Sequence, residues 1–479
     1  GHGKGEKIPG LTVQPQLKIA AAVQLALDGQ YPVLPGQLHI LASQRCLERI
    51  HQNIPSHSIC QGFRLYRYRQ ILVLHGDLVL GEYHRHICQR SRFGKAEGIA
   101  PGCPIPLDGH PGIHPLILQM RRGFKRCIQA LFQQLAAPLA EALSAAGTPE
   151  QVSRQQWEQA LSAAPGVVLD FQSPMPLPVL VHWLAGEDAG LTAQARRLAL
   201  YVQGDGLALC WRDETSGAYF HASAQGVDAR ALTDALSTLT PNGSQFAFEN
   251  PDCDRLDPDT LLLPQTASMP VYAVSDPMGD GRDSFETLMG YLNISADASS
   301  FYSAGSEQVA RSESDSLRLS QSGFATYEAG EARSGRFPVP VRGDQITLAD
   351  AVDACRRLAA ATVGFHCGQA RLYLSGVTQQ EDGLEVCFDY SLSGAPVQLS
   401  SGHAARFWVS QGQIVKFELS FRSYAKQEGT AALLPTRQAA AALAVEHPGH
   451  ELLLVYRDAG GDTASADWAA AGTSSQEEG

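Results

Sequence analysis

Two histidines and a cysteine in the first part of the chain are side-chain types that bind zinc. His84, His86 and Cys88 lie close together, and on an extended strand both imidazoles would point to one face. The Cys-x-x-Cys pairing that accompanies many such ligands is absent. The spacing therefore favours chance over a metal site, and the sequence predicts no metal ligand.

Two acidic runs carry the carboxylate oxygens that calcium prefers. The first contains Asp276, Asp280 and Asp283 around Gly281. The second lies in the segment 250–264 and comprises Asp252, Asp254, Asp257 and Asp259. The ligand spacing and the distal glutamate of an EF-hand are missing from both runs. We therefore expect Asp283 to cap a helix and the second run to be a solvated linker.

A third candidate is His366 beside Cys367, immediately before a predicted strand. A cysteine nucleophile needs an activating base, and the sequence places no third group to orient this imidazole. The chain also lacks a glycine-rich phosphate loop and a nucleophile elbow. The sequence thus predicts no catalytic residue and no cofactor-binding residue, and we expect a protein that is not an enzyme.

Charge is unevenly distributed along the 479 residues. Residues 1–127 hold 16 Lys and Arg against 7 Asp and Glu, whereas the remainder holds 21 against 42. The acidic remainder argues against nucleic-acid binding, because a phosphate backbone needs a basic surface. A short patch from Arg64 to Arg69 interleaves arginines with tyrosines, a pattern that can stack on bases. One such patch is a weak signal, and no nucleic-acid partner is predicted.

Residues 1–127 also contain nine of the 15 histidines and lack clear helix caps or periodicity. This composition is typical of an out-of-frame or wrongly joined reading, so we expect the segment to be foreign to the native domain and poorly ordered. The rest predicts a helical lead-in plus an α+β domain (128–262), a middle α+β domain (263–342) and a last α+β domain (343–458). The tail 459–479, rich in Ala, Gly, Ser and acids, is predicted to be disordered.

The last domain has the clearest patterning. In Leu384–Tyr390 and Val415–Phe421, apolar and polar residues alternate with period two, which gives each strand one core face and one water face. Thr347 and Pro435 mark the starts of two covering helices. The pattern predicts antiparallel sheets with helices packed on one face, hence a multi-domain α+β protein. Five cysteines of the acidic part resemble buried hydrophobes more than a disulfide framework: Cys210, Cys253, Cys355, Cys367 and Cys387.

Several stretches between Pro165 and Asp458 follow a recognisable order of elements. They are Val167–Leu177, Phe285–Leu292, Ser316–Gly323, Leu372–Val397, Gly412–Phe417 and Leu433–Ala439. In this order they resemble the YycH/YycI family of regulatory proteins, which act on the WalK (YycG) sensor histidine kinase of the WalK/WalR (YycG/YycF) two-component system in Gram-positive bacteria. The resemblance implies an extracytoplasmic protein without catalytic residues. It also implies a single N-terminal transmembrane anchor, with a sensor histidine kinase and a paralogous regulator as partners.

No run of about 18 apolar residues is present, so membrane attachment is expected only through an anchor helix missing from this chain. The leading hypothesis is a non-enzymatic accessory regulator of a sensor histidine kinase in cell-wall homeostasis signalling. Its expected partner surface includes Trp408, Arg422 and Tyr424, because Trp, Arg and Tyr are enriched at interface hot spots.

Two other classes of function stay open. One is an extracytoplasmic module that binds a ligand or peptide, such as an inhibitor of a cell-wall enzyme, and a large concave apolar pocket would favour it. The other is a hydrolase, for which a nucleophile and a base within hydrogen-bond reach would be the distinguishing observation.

Overall fold

The structure, a computed structural model, describes 345–472 and most of 134–341. In full, the described residues are 66–68, 71–74, 134–186, 190–237, 244–264, 268–279, 282–295, 301–312, 315–330, 335–341 and 345–472. Most of the segment 1–127 lies outside them, so the expectation that this segment is foreign and poorly ordered stays a prediction. Two short strands of the segment are described, and the second pairs in parallel with Gly166–Leu169.

The described chain contains helices and runs of consecutive strands. The helices are α1 (134–144), α2 (Arg154–Leu161), α3 (Leu177–Ala185), α4 (Arg230–Ser237), α5 (Arg282–Tyr291), α6 (Leu348–Ala359) and α7 (Thr436–Glu446). The strands up to α5 are β1 (Tyr66–Tyr68), β2 (Ile71–Leu74), β3 (Glu150–Val152), β4 (Gly166–Pro176), β5 (Gln194–Gln203), β6 (Gly206–Arg212), β7 (Tyr219–Ala224), β8 (Gln245–Phe246), β9 (Leu261–Leu262) and β10 (Pro270–Ser275). Those after it are β11 (Phe301–Ala304), β12 (Glu307–Arg311), β13 (Asp315–Ser320), β14 (Phe324–Ala329), β15 (Arg371–Gln380), β16 (Gly383–Leu392), β17 (Ala395–Leu399), β18 (Ala405–Ser410), β19 (Gln413–Ser420), β20 (Ser423–Thr430), β21 (Glu451–Asp458) and β22 (Thr463–Ala471).

Two large sheets organise the described residues, and the predicted α+β class is confirmed. The first sheet has the order β1-β2-β4-β5-β6-β7-β3. The second has the order β11-β12-β13-β14-β19-β18-β16-β17-β21-β22-β10-β20, with β15 paired to β16. Most pairings are antiparallel, and the parallel exceptions are β2 with β4 and β17 with β21. The second sheet crosses the predicted boundary at 342/343, because β14 pairs with β19 and β10 with β20.

The tail prediction is wrong for part of 459–479. Residues Thr463–Ala471 form β22, which lies between β21 and β10 in the second sheet. Ala464 and Ala466 are buried while Ser465 between them is exposed, so a strand with period two runs through this small-residue segment. Composition alone suggested a solvated tail. The extended edges of β21 and β10 supply the hydrogen bonds and apolar contacts that order it.

The core of the second sheet contains a set of aromatic rings in mutual contact. Phe417 lies 4.9 Å from Tyr327 and 5.6 Å from Phe337 between ring centroids, and Phe407 adds a further contact at 5.9 Å. The predicted cap of α6 is confirmed, since the Thr347 side chain accepts from the Asp350 N–H in a capping box. The helix packs against β16 and β18 and buries most of its side chains there.

The two sheets meet where β4 passes the edge of β15. Strand β4 has an irregularity between Asp170 and Met175, which leaves polar side chains free to reach across. Ser173 Oγ donates to the Leu374 carbonyl at 2.8 Å, and Gln194 Nε2 donates to the Val377 carbonyl at 3.1 Å. Both carbonyls belong to β15. Side chains of the first sheet therefore donate hydrogen bonds to backbone acceptors along the edge of β15.

The surroundings determine where two helices begin, and the expectation that Asp283 caps a helix is wrong. Helix α2 begins at Arg154 with Ser153 as N-cap, and the residues before it, Glu150–Val152, are paired as β3. Asp283 lies in the first turn of α5 rather than at its cap position, because this helix begins at Arg282. In both places several neighbouring residues could cap, and sheet pairing or packing selects the actual start.

Candidate interaction surface

An outward face of the second sheet presents the best candidate site. The alternation predicted for β16 is confirmed: Val386 and Phe388 are fully buried, whereas Glu385 and Asp389 point to the other side and are partly exposed. We call this second side the outer face. It also carries side chains of β18 and β19, namely Arg406, Trp408, Lys416 and Glu418, which are partly exposed and paired across the strands.

Trp408 lies at the centre of the outer face between two cations. The Arg406 guanidinium carbon is 4.6 Å from its ring centroid and the Lys416 Nζ is 4.5 Å from it. Arg406 also contacts Glu385 at 2.9 Å, and Lys416 contacts Glu418 at 3.3 Å. Cation–π contacts restrict the position of the indole, and partly exposed ion pairs of this kind contribute only about 0–1 kcal/mol each.

The indole N–H distinguishes Trp408 from three other tryptophans. Trp157 donates to Asp259, Trp183 donates to Asp353 at 2.8 Å, and Trp468 donates to the Leu434 carbonyl at 2.9 Å. Among the described residues, Trp408 has no acceptor for this hydrogen. Since its ring is only partly buried, the N–H is available to an acceptor from outside.

Tyr424, predicted to be part of a partner surface, lies in the interior with 1% exposure. Its hydroxyl donates to Asp458 Oδ2 at 2.9 Å, and burial raises its pKa. Arg422 donates to the same carboxylate from Nε at 2.8 Å and from Nη2 at 2.7 Å. It also donates to the Gly461 carbonyl. The prediction that Tyr424 lies on a partner surface is therefore wrong. Strand β22 and the turn before it cover the region around Tyr424 that the sequence pattern had suggested was exposed.

A second polar cluster on the outer face was missed by sequence reasoning. His403 Nδ1 lies 3.0 and 3.1 Å from the two carboxylate oxygens of Asp389, and the Ala404 N–H donates to Asp389 at 3.1 Å. The Cys387 thiol, two residues before Asp389 on β16, donates to Glu385 Oε1 at 3.6 Å. We call Cys387, Asp389 and His403 the thiol cluster. The period-two pattern of β16 places Cys387 and Asp389 on one face of the strand. It does not show that His403 approaches this face from a separate turn.

The electrostatics of the thiol cluster follow from these contacts. The hydrogen bonds to Asp389 and then to Cys387 raise the pKa of His403 to about 10, so the imidazole is a cation at neutral pH. Burial raises the pKa of the Cys387 thiol, and the bond from His403 opposes that rise. The cluster is therefore an oriented cation beside a nearly buried thiol.

The remaining predicted sites are structural or lie outside the described part. Within the described ranges, no group of three or more His, Cys, Asp or Glu is arranged to hold a metal ion. His84, His86, Cys88, Asp280 and Gly281 and the side chains of the Arg64–Arg69 patch fall outside those ranges. Asp276 accepts from the Met278 N–H, and Cys367 donates to the Gly364 and Ala370 carbonyls.

The segment 250–264 was predicted to be a solvated linker, but part of it is anchored to the fold. Asp259 is buried and accepts from the Trp157 indole and from Arg154 at 2.8 Å. Asp257 is also buried and accepts from the Asp259 N–H. The carboxylates that suggested calcium or solvent thus tie this segment to α2, which the sequence could not show because the partners are about 100 residues away.

A buried ion cluster joins the two sheets. On the first sheet, Arg196 and Arg197 follow one another in β5 and Asp170 lies in β4. Glu451 in β21 of the second sheet contacts Arg196 Nη1 at 2.5 Å and Arg197 Nη2. Burial opposes the charge on Arg197, but Glu451 and Asp170 raise its pKa well above the usual value. The cluster thus stays ionised and couples the sheets.

Comparison with known proteins adds a structural likeness. No protein-family model matches the chain, and no curated protein matches it. Among solved structures, the chain is similar to the crystal structure of YycH from Bacillus subtilis, with a TM-score of 0.45 and 8% sequence identity. The match covers 71% of this chain and 88% of the YycH chain. Within the described residues, no helix is long and apolar enough to cross a membrane.

Proposed function

We propose that the protein is a non-enzymatic accessory regulator of a sensor histidine kinase in cell-wall homeostasis signalling, and that it acts through protein–protein contacts. The sequence resemblance described above supports the kind of partner, including a paralogous regulator. An extracytoplasmic location and membrane attachment through an anchor helix belong to the same proposal. The regulator would bias the kinase between states by binding one of them better than the other.

The observation that carries the proposal is the setting of Trp408. Its partly exposed indole has a free hydrogen-bond donor among the described residues and stands between Arg406 and Lys416. Tryptophan and arginine at the centre of a flat surface are the side chains that dominate protein interfaces. The ion pairs around them are weak and partly exposed, so a partner can replace them at small cost in free energy.

The experiment is co-purification of the full chain with the sensor histidine kinase, together with kinase autophosphorylation. We expect association and a change in phosphorylation, both reduced in Trp408→Ala and retained in Val445→Ala, whose side chain is 68% exposed on α7. Absence of association together with unchanged kinase output would contradict the proposal. Binding of a small ligand or peptide without any kinase would favour the alternative of a binding module.

A further inference from the structure

Two ion pairs of the outer face expose the cation far more than the carboxylate. The Arg406 side chain is 39% exposed, whereas its partner Glu385 is 13% exposed. The His403 side chain is also 39% exposed, against 15% for Asp389, and its raised pKa keeps this imidazole charged at neutral pH. In each pair the carboxylate lies deeper than the cation. A partner that approaches these pairs from solvent therefore meets positive charge first.

A third ion pair adds a cation on the next strand. Lys416 in β19 is 37% exposed and contacts Glu418, which is 28% exposed. Lys416 is the cross-strand neighbour of Trp408, and Arg406 is the cross-strand neighbour of Glu418. The three pairs contain as many carboxylates as cations, yet their exposed groups are mainly cations. The balanced charge count therefore does not describe the surface that a partner would contact.

The hydrogen-bond donors around Trp408 are only partly used within the fold. The indole N–H has no acceptor among the described residues. Arg406 donates to Glu385 from Nη2, while its covered Nε has no acceptor in the part of the chain that the structure describes. The Lys416 ammonium carries three donors, and one carboxylate contacts it. An anion that accepts from the indole would lie near both cations, which are 4.6 and 4.5 Å from the ring centroid.

We propose that this part of the outer face recognises an acidic segment of its protein partner, in which one carboxylate accepts from the Trp408 indole N–H while others contact the flanking cations. The inference rests on the proposed regulatory function and specifies the chemistry of the contact. A carboxylate is favoured over a neutral acceptor, because hydrogen bonds to a charged acceptor are stronger and each flanking cation adds attraction. A basic segment is disfavoured, because the cation is the more exposed member of all three pairs.

The first experiment uses the purified full chain and two defined probes. Acetylated and amidated tetraglutamate and tetraglutamine have the same length and differ mainly in charge, and the indole N–H resonance of Trp408 reports their binding by NMR. The resonance that disappears in Trp408→Phe provides the assignment. We expect a saturable shift with tetraglutamate and a dissociation constant at least about tenfold higher for tetraglutamine. The absence of a shift with tetraglutamate, or equal affinity for the two probes, would overturn the proposal.

Matched variants test whether the cations of the outer face are responsible. Arg406→Gln and Lys416→Gln should each weaken tetraglutamate binding by roughly fivefold, the effect of one partly exposed charge interaction. Arg230→Gln removes an exposed arginine that also pairs with a carboxylate, but on α4, and should leave binding unchanged. Equal losses in all three variants would show a general effect of net charge and would refute recognition by the outer face.

The kinase measurement separates this inference from the regulatory role. If the kinase associates equally well with the unchanged protein, Arg406→Gln and Lys416→Gln, the acidic segment is refuted while the regulatory proposal stands. If the kinase associates with none of them, the regulatory proposal fails, and the tetraglutamate titration still decides whether the outer face binds acidic chains.

Discussion

Tyr424 donates its hydroxyl hydrogen to Asp458 Oδ2 at 2.9 Å, and Arg422 donates two hydrogen bonds to the same carboxylate. Asp458 also accepts from the Gly460 N–H, where the chain turns from β21 into β22. One buried carboxylate thereby joins β20, the end of β21 and the turn beyond it. The two side chains that were expected to meet a partner instead hold the second sheet together.

Substitution of Tyr424 by Phe removes one hydrogen bond to a charged acceptor without changing the packing volume. Such a bond contributes about 1.5–3 kcal/mol, so we expect the free energy of unfolding in urea to fall by that amount. Tyr302→Phe, at a tyrosine that is 46% exposed, should change it by less than about 0.5 kcal/mol. Equal effects of the two variants would show that the Asp458 contact contributes little.

Glu451→Gln removes the carboxylate that Arg196 and Arg197 share across the two sheets. Loss of one partner leaves buried guanidinium charge without compensation, and we expect a loss of stability of about 3–5 kcal/mol in denaturant unfolding. Glu446→Gln, at the exposed end of α7, is the matched control and should be nearly silent. A silent Glu451→Gln would show that the sheets are held by packing alone.

The raised pKa of His403 predicts a pH dependence of stability. The imidazole has a pKa near 6.5 in the unfolded chain and about 10 in the fold, so its contribution is complete below pH 6.5 and is lost as pH rises through 10. The stability advantage of the unchanged protein over His403→Gln should therefore shrink between pH 6.5 and 10. NMR titration of this imidazole gives the folded pKa directly, and a value near 6.5 would refute the paired geometry.

The burial pattern of β22 predicts that substitutions at two neighbouring residues differ in their effect on stability. Ala466 is 6% exposed and Ser465 is exposed on the other side of the strand. Ala466→Asp places a carboxylate in an apolar contact and should lower the free energy of unfolding by more than about 2 kcal/mol, whereas Ser465→Asp should have little effect. A disordered tail, as composition suggests, would tolerate both changes equally in thermal melts.

Much of the last domain could be predicted because its signals are local. Alternation fixed the two faces of β16, and the Thr347 cap fixed the start of α6. A side chain of a strand points to one face or the other whatever its partner, so the outer face with Trp408 followed from the pattern. The period-two signal was equally present in β22, but weakly apolar alanines concealed it.

The details of the polar clusters could not be predicted, because their members are distant in sequence. Glu451 meets arginines more than 250 residues away, and His403 reaches Asp389 from a turn. The sequence pattern around Tyr424 is compatible with a surface position, but Asp458 and the turn that follows it enclose the side chain. Pairings of this kind depend on the order of strands in the sheet, which periodicity does not encode.

The proposed regulatory role requires the outer face of the second sheet to be a binding surface centred on Trp408. Isothermal titration of the purified chain against the extracytoplasmic domain of the sensor kinase measures this directly. We predict saturable binding that weakens at least about tenfold in Trp408→Ala, the loss expected for a hot-spot residue, and is unchanged in Val445→Ala. Binding of equal affinity in both variants would contradict the account.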